Sequence, residues 1–271
     1  VLNDALGLTH GVLIAVFDAD AEVPGDFLRK AVPALLEDGV AAVQVPKFIA
    51  NADENLLTQC QDFEYAFDGH VQRCRDLVQG AVELRGNGQL LKREAVVAVG
   101  GWNEASVTDD LDMSTRLHVA GWDIRFVTDT HVREEGIPDF PSLLRQRSRW
   151  AEGALMRYLQ FGGQILFSPK VGHRTRADML AYFVDFLFPL LLLMDHLIVG
   201  WATLLGTVTK SHVLLTVSIT PLFLLFFFPT LHYSISKMRG HHGFWAAARG
   251  ALLAGVFMLL VWVPVVFFTM A

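Results

Sequence analysis

Cysteine is nearly absent. Cys60 and Cys74 are the only two among 271 residues, and neither has a neighbour at metal-ligand spacing, so a disulfide framework or a zinc site has no basis here and a reducing compartment fits. Positive charge is scarce as well. The 22 Lys and Arg are outnumbered by 28 Asp and Glu, for a net charge of −6. The basic residues are also scattered, so the footprint that a phosphate backbone requires is missing and nucleic acid is excluded as a partner. Internal repeats and low-complexity tracts are lacking too. Long apolar runs are absent only as far as about residue 177; beyond it they dominate. With 52% apolar residues and a positive mean hydropathy, the chain is too apolar for an ordinary soluble domain. Two regions follow: residues 1–177 with a globular pattern, and residues 178–271 built for a membrane.

The globular region reads as α/β. Residues 12–17 (VLIAVF) predict a buried parallel strand that delivers Asp18-Ala19-Asp20 at its C-terminal end, the edge where open α/β sheets bind ligands. A helix over 25–37 behind Pro24 and a second buried strand over 40–45 continue a βαβ rhythm. A long helix over 53–78 has an apolar side (Leu56, Leu57, Cys60, Phe63, Tyr65, Phe67) that is expected to pack across the sheet. Gly86-Asn87-Gly88 is a turn signal, followed by a short helical piece closed by Gly100-Gly101. An acidic helix start at 108–112, a strand over 124–128 and an amphipathic, interfacial helix over about 140–163 complete the region.

Three apolar segments follow, 178–204, 213–234 and 249–271, against the roughly 20 residues that cross a bilayer. Arg174 and Arg176 precede the first, and Lys237, Arg239 and Arg249 separate the second from the third. The positive-inside rule therefore puts the globular region and a 235–248 loop on the cytosolic side. Asp185 reads as a wet residue near the cytosolic end. The Asp195-His196 region reads as a break between an interfacial helix and the true span. A chain that opens on Val1 and stops at Ala271 inside an apolar run is expected to be part of a longer protein.

Three short constellations carry chemistry. Asp18 and Asp20 at a strand end can share Mg²⁺ or Mn²⁺ with a diphosphate, because such an ion takes one or two protein carboxylates and fills its shell from phosphate and water; a solvated turn is the plain alternative. Thr108-Asp109-Asp110-Leu111-Asp112 opens a helix, with Thr108 as N-cap and the acidic residues favoured by the dipole. Equally, one of its carboxylates can face a cleft as a general base, its pKa pulled down by the helix end and up by acidic neighbours. Gln146-Arg147-Ser148-Arg149-Trp150 lies in the amphipathic helix, where snorkelling Arg and an interfacial Trp are the plain reading. Gln146, Arg149 and Trp150 nevertheless share one helix face, offering an amide, a guanidinium and a stacking plane.

The order DAD (18–20), TDD (108–110), QRSRW (146–150) before membrane helices resembles the D-x-D, T-E-D, Q-x-x-R-W series of family 2 glycosyltransferases, the group of cellulose, hyaluronan and poly-N-acetylglucosamine synthases. The resemblance extends to RGNGQLLKREAV (85–96), VGGWNE (99–104), DLDMSTRLHVAGW (110–122) and RWAEG (149–153). It implies an N-terminally incomplete, Rossmann-like GT-A domain followed by transmembrane helices, in a bacterial inner (cytoplasmic) membrane with the catalytic domain cytosolic. By the same resemblance the protein is an inverting enzyme that passes a glucose- or N-acetylglucosamine-type hexose from a UDP-sugar to an acceptor hydroxyl. Asp18 and Asp20 would hold the diphosphate and metal, with Asp20 the more direct ligand. Asp110 would be the base, supported by Thr108 and Asp109. Gln146 and Arg149 would bind the diphosphate, while Trp150 with Gly86, Asn87 and Gly88 would face the acceptor. Asp109 departs from the family's usual Glu. The family's first strand would lie upstream of Val1, with Leu2-Asn3 as the tail of the segment after it, so this stretch alone should bind donor poorly. The acceptor is a growing β-glycan or a lipid, since TDDLD, QR-x-RWAEG and RYL also resemble cyanobacterial-type glucosyl-diacylglycerol synthases. The competing class is a non-enzymatic membrane transporter or scaffold in which the acidic motifs only cap helices.

Overall fold

The computed structural model describes residues 1–240 and 243–270. In chain order its elements are α1 (Leu2–Leu8), β1 (Leu13–Val16), α2 (Phe27–Leu35), β2 (Val40–Gln44), β3 (Lys47–Ile49), α3 (Leu56–Leu77), β4 (Gln89–Lys92), α4 (Arg93–Ala98), α5 (Asp109–Ala120), β5 (Asp123–Phe126), β6 (Val132–Glu134), α6 (Phe140–Phe167), α7 (His173–Leu204), α8 (Lys210–Met238) and α9 (Phe244–Met270).

Four strands form a mixed sheet in the order β1-β4-β2-β5, with β2 and β5 parallel and β4 antiparallel to both of its neighbours. Every residue of β2 is buried, its apolar run Val40–Val43 as a strand covered on both faces requires, and the terminal Gln44 with its amide hydrogen-bonded. The period of two sorts the core: Val43 and Leu90 pack with Phe27, Ala31 and Leu35 of α2, while Ala42, Leu91, Ile124 and Phe126 pack with Met113 and Leu117 of α5.

β1 corrects an expectation. It is a partly exposed edge strand paired antiparallel with β4, because QLLK is a strand squeezed between a glycine turn and a helix, too short for its period to show. That insertion sets the site. Where β1 ends, β4 begins, with Val16 opposite Gln89 and the Gly88 N–H donating to the Val16 carbonyl at 3.1 Å. The C-terminal ends of β1, β2 and β5 therefore meet the Gly86–Gly88 turn at one edge, and the small parallel pair β3–β6 stands beyond it.

α3 is the second correction. Its apolar stripe does not lie on the sheet: Leu57, Cys60, Phe63 and Phe67 pack on α8 and α9, Leu56 is exposed, and Tyr65 turns inward. The long membrane helices offer an aromatic stripe more apolar area than the sheet edge does, and the stripe alone does not say which partner it meets. Asn55 caps this helix in a reciprocal box with Thr58.

α8 and α9 are each long and apolar enough to cross a membrane, and α7 counts as a third span only if its two halves, bent by 44° between Phe188 and Leu190, are taken together. The break thus falls before Asp195, not at it. His196 Nε2 lies 2.9 Å from Thr220 Oγ1, tying α7 to α8. Of the loop expected at 235–248, residues 235–238 belong to α8 and 244–248 to α9, and Arg249 belongs to that helix as well. Residues 241 and 242 of the expected loop, and Ala271 of the expected third span, lie outside the described residues. α1, not foreseen, docks through Asn3, whose amide exchanges two 2.8 Å hydrogen bonds with the Trp102 backbone. Cys60 is buried, Cys74 is exposed, and both are free thiols.

Candidate active site

At the shared strand edge Asn87 is buried and fully engaged. Its Oδ1 accepts from the Asp18 N–H at 3.3 Å, and its Nδ2 donates to Glu134 Oε2 at 2.9 Å. Glu134 Oε1 accepts from Tyr65 (2.7 Å) and from Lys47 Nζ (3.1 Å). Gly86 and Gly88, at φ +79° and +71°, make the turn that brings this amide inward, and a Cβ on Gly88 would sit 2.8 Å from Val132. The Asn87 side chain thus orients Asp18 from within the protein. Burial acts to raise the Glu134 pKa, but Lys47 and the hydrogen bonds from Asn87 and Tyr65 outweigh it and hold the group below its ordinary value.

Asp18 shows the opposite balance. Burial first, then the charges of Glu134, Asp20 and Asp109, push its carboxyl above the usual range, with Lys47 the counterweight. Asp20, exposed, is aimed by the Glu135 N–H at 3.1 Å. Negative charge therefore exceeds positive at this edge, which suits a divalent cation on Asp18 and Asp20. Among the described residues no set of three or more His, Cys, Asp or Glu forms a cage. That fits an ion that takes most of its oxygens from a ligand rather than from protein.

Across the edge stands the first turn of α5. Thr108 does not cap it with its side chain. Instead Asp109 Oδ1 accepts from the Asp110 N–H (3.0 Å) and Asp110 Oδ1 from the Leu111 N–H (2.8 Å). That leaves Asp110 Oδ2 facing the glycine turn, 3.5 Å from where a Cβ of residue 86 would lie. Of the two opposed shifts, the upward one prevails: burial, helped by Asp109, outweighs the Leu111 N–H, Arg85 and Lys47 and pushes the Asp110 pKa up to about 6. A carboxylate poised there is suited to taking a proton near neutral pH. Asp112 is structural, bound to Arg116 (2.6 Å) and Asn103 (3.1 Å).

Thr108 has a different use. Its buried hydroxyl has no hydrogen-bond partner and presses on Gly153 of α6, where a Cβ would come within 2.1 Å of Oγ1, 2.4 Å of Cγ2 and 2.8 Å of Cβ. No rotation of Thr108 clears all three. Overpacking of this kind typically costs about 1–3 kcal/mol, against a gain of up to about 1 kcal/mol from helix propensity. Gly153→Ala is therefore expected to lower the melting temperature and donor turnover together. Adding Thr108→Gly, tolerated at an N-cap, should restore both; a wild-type Gly153→Ala protein would refute this close packing.

On α6, Gln146, Arg149 and Trp150 fall at i, i+3 and i+4 of one continuous helix, and the side chain that stacks on Trp150 is Arg147. Arg147 is fully buried; it stacks over Trp150 at 4.2 Å, donates to Glu64 Oε2 at 2.5 Å and bonds Gln146 Oε1. Trp262 of α9 donates to the other oxygen of Glu64 at 2.5 Å. Trp150 also faces Lys47, 5.7 Å from its ring centroid, which joins it to the acidic edge. Arg149 is exposed and has neither hydrogen bond nor ion pair among the described residues.

The sequence reading missed a cluster beneath the turn. Buried Glu83 receives Arg157 (2.7 Å), Arg85 (2.7 Å) and Arg75 (3.3 Å); Arg85 also grips Asp68 with two hydrogen bonds, and Arg75 grips Asp178 of α7. The available signal was a polar period inside the long helix: Glu64, Asp68, Gln72 and Arg75 fall at i, i+4, i+8 and i+11, a stripe that serves the site along its whole length.

A family model described as glycosyl transferase family group 2 matches residues 13–271. The beta-monoglucosyldiacylglycerol synthase of Trichormus variabilis is 47% identical over 181 residues, 67% of this chain and 38% of that protein. The glucomannan 4-beta-mannosyltransferase 1 of Oryza sativa is 28% identical over 172 residues, 61% of this chain and 33% of that protein. This chain thus spans well under half of the curated relatives it matches. Among solved structures, a mannosyltransferase from Pyrobaculum calidifontis in complex with GDP-Man and Mn²⁺ superposes with a TM-score of 0.62 at 20% identity, covering 96% of this chain and 65% of that one. The fold is accordingly the mixed α/β, GT-A type.

Proposed function

Since the chain belongs to glycosyl transferase family group 2, we propose that it is the core of a membrane-embedded, inverting glycosyltransferase that moves a hexose from a nucleotide sugar, UDP-linked, to the free hydroxyl of a diacylglycerol-type lipid. The observation that carries the catalytic half is Asp110, with one oxygen held by a backbone N–H, the other facing the glycine turn, and its pKa at about 6. Asp110 takes the proton of the acceptor hydroxyl as that oxygen attacks the anomeric carbon; the bond from that carbon to the diphosphate oxygen breaks on the opposite face, so configuration inverts. Asp18 and Asp20 would hold Mg²⁺ or Mn²⁺, which when bound neutralises the leaving diphosphate. Gln146 and Arg149 would bind that diphosphate, and Trp150, on which Arg147 stacks, would offer a flat wall to the acceptor. Arg174, Arg176, Lys237 and Arg239 support a cytosolic active site; the membrane proposed is a bacterial inner membrane.

A lipid acceptor is favoured over a glycan because the resemblance to lipid glucosyltransferases is the stronger in identity, 47% against 28%. Radiolabelled UDP-glucose supplied to membranes carrying the full-length protein is expected to yield label that partitions into organic solvent. Alkali-resistant product of high mass would overturn the lipid acceptor in favour of a polymer. Failure to incorporate label from any nucleotide sugar would overturn the enzyme reading itself.

A further inference from the structure

Arg85 immediately precedes the glycine turn, and its guanidinium has no free side. Nε and Nη2 donate to the two oxygens of Asp68 on α3 (3.0 and 2.8 Å), Nη1 donates to Glu83 (2.7 Å), and Nη2 also donates to the Tyr182 hydroxyl on α7 (3.1 Å). Its backbone is held as firmly. The Arg85 N–H donates to Gln44 Oε1 (2.7 Å), and Gln44 Nε2 returns to the Asn87 carbonyl (2.8 Å). One residue earlier, the Leu84 N–H donates to Ser114 Oγ (2.8 Å), and that hydroxyl donates to the carbonyl of Asp110 (2.7 Å). The segment 83–88 is thus fastened at one end to the first turn of α5 and at the other to the partner that aims Asp18. Each of these bonds joins one part of the protein to another, so the cage acts as a support for the turn.

We propose that Arg85 is a positioning residue for the transfer: it fixes the Gly86-Asn87-Gly88 turn against Asp110, and through Tyr182, and through Asp178 acting on Arg75, the first turns of α7 hold it there. The proposal rests on the reading of Asp110 as the base. A planar fork explains why the position is arginine, since a lysine keeps the charge but cannot engage Asp68 with two parallel hydrogen bonds while reaching Glu83 and Tyr182. It also gives the membrane region a direct grip on the catalytic turn. α7 enters the cage with Tyr182, whose ring packs over Arg75 at 4.1 Å, and with Asp178, which accepts from Arg75 (2.8 Å) and from the Ala81 N–H (2.8 Å). Gly80 lets Asp178 in, because a Cβ there would lie 2.6 Å from its Cγ.

The charges that face Asp110 are Asp109 on its own helix, Arg85 from the turn and Lys47 from β3. Steady-state rates of the full-length protein in membranes, per folded molecule and across pH, therefore separate positioning from plain support. Arg85→Met is expected to lower kcat about tenfold or more with donor KM unchanged, and to move the acid limb of the kcat profile upward by about half a pH unit, because a cation favouring ionised Asp110 is gone. Arg85→Lys should lose kcat comparably while its acid limb stays in place. Tyr182→Phe, which removes one oxygen and leaves the ring packing, should lower kcat about threefold with an unmoved limb, and it remains informative if Arg85→Met does not fold. Wild-type kcat in folded Tyr182→Phe and an unmoved limb in Arg85→Met would overturn the proposal. Asp110→Asn in the same assay tells the two failures apart: if it keeps turnover, the base reading falls, whereas if it abolishes turnover and the Arg85 variants are normal, only the positioning role falls.

Discussion

Asp110→Asn is expected to lower hexose transfer by about 10³-fold, within the range that a positioned base contributes, while leaving the protein folded and slightly more stable at neutral pH. The fold should survive because the side-chain oxygen that accepts from the Leu111 N–H has an equivalent in Asn, and the bond from Ser114 goes to the backbone carbonyl of Asp110, not to its carboxylate. The gain in stability follows from the sign of the shift. A carboxyl raised to about 6 from 3.8 is bound to its proton more tightly in the folded state. Ionised Asp110 is therefore a cost that is full above about pH 6, declines as pH falls toward 3.8, and is absent below it. Removing the charge should recover about 1–2 kcal/mol at pH 7, after discounting for the solvent that reaches this half-buried group. Wild-type kcat should rise with pH to a plateau above about 6. Turnover and thermal melts of the variant at pH 5 and pH 7 test both halves. A variant that transfers sugar normally would sink the assignment and reopen the transporter or scaffold reading.

Apolar runs made β2 and the membrane segments legible, and apolar periodicity made β5 and the helices other than α1 legible. β3, β4 and β6, of three or four residues each, were not: β4 is squeezed between a glycine turn and a helix, and β3 and β6 owe their existence to each other. The acidic edge and the first turn of α5 were foreseen from residue type and order. Glu134 and Lys47 were not, because they come from two short strands that meet only in the folded protein. Asn87 was read as an acceptor contact, but its amide is committed to Asp18 and Glu134. Motif logic also weighted Arg149 over Arg147. In a helix the residue next to a motif position points about 100° away, here into the interior, where Glu64 neutralises it.

Glu83→Gln is expected to cost about 3–5 kcal/mol of stability, the loss that follows when one member of a buried ion group is removed and its partners stay charged. Glu83 is 1% exposed and answers three guanidinium groups, those of Arg75, Arg85 and Arg157; with Asp68 and Asp178 the cluster holds three positive and three negative charges, so the substitution leaves one positive charge in excess. Burial alone would raise the Glu83 pKa, but Arg157, Arg75 and Arg85 outweigh it and hold the carboxyl far below its ordinary value of 4.5. Because the folded-state pKa is depressed, the stabilisation is complete above about 4.5 and fades only as pH falls toward the folded value. The gap between wild type and Glu83→Gln should therefore be the same at pH 6 and pH 8, unlike that of Asp110→Asn, whose effect grows through pH 6. Thermal melts of detergent-solubilised protein across that range read the difference, and a melting temperature within a degree or two of wild type would show that the cluster is solvated and not a buried cage. Adding Arg157→Met to Glu83→Gln removes the excess charge and should recover part of the loss, since an apolar side chain tolerates burial better than a lone cation. Turnover should not recover with it. Arg85 would still lack Glu83 on one side, and the turn it carries would face Asp110 with one restraint fewer.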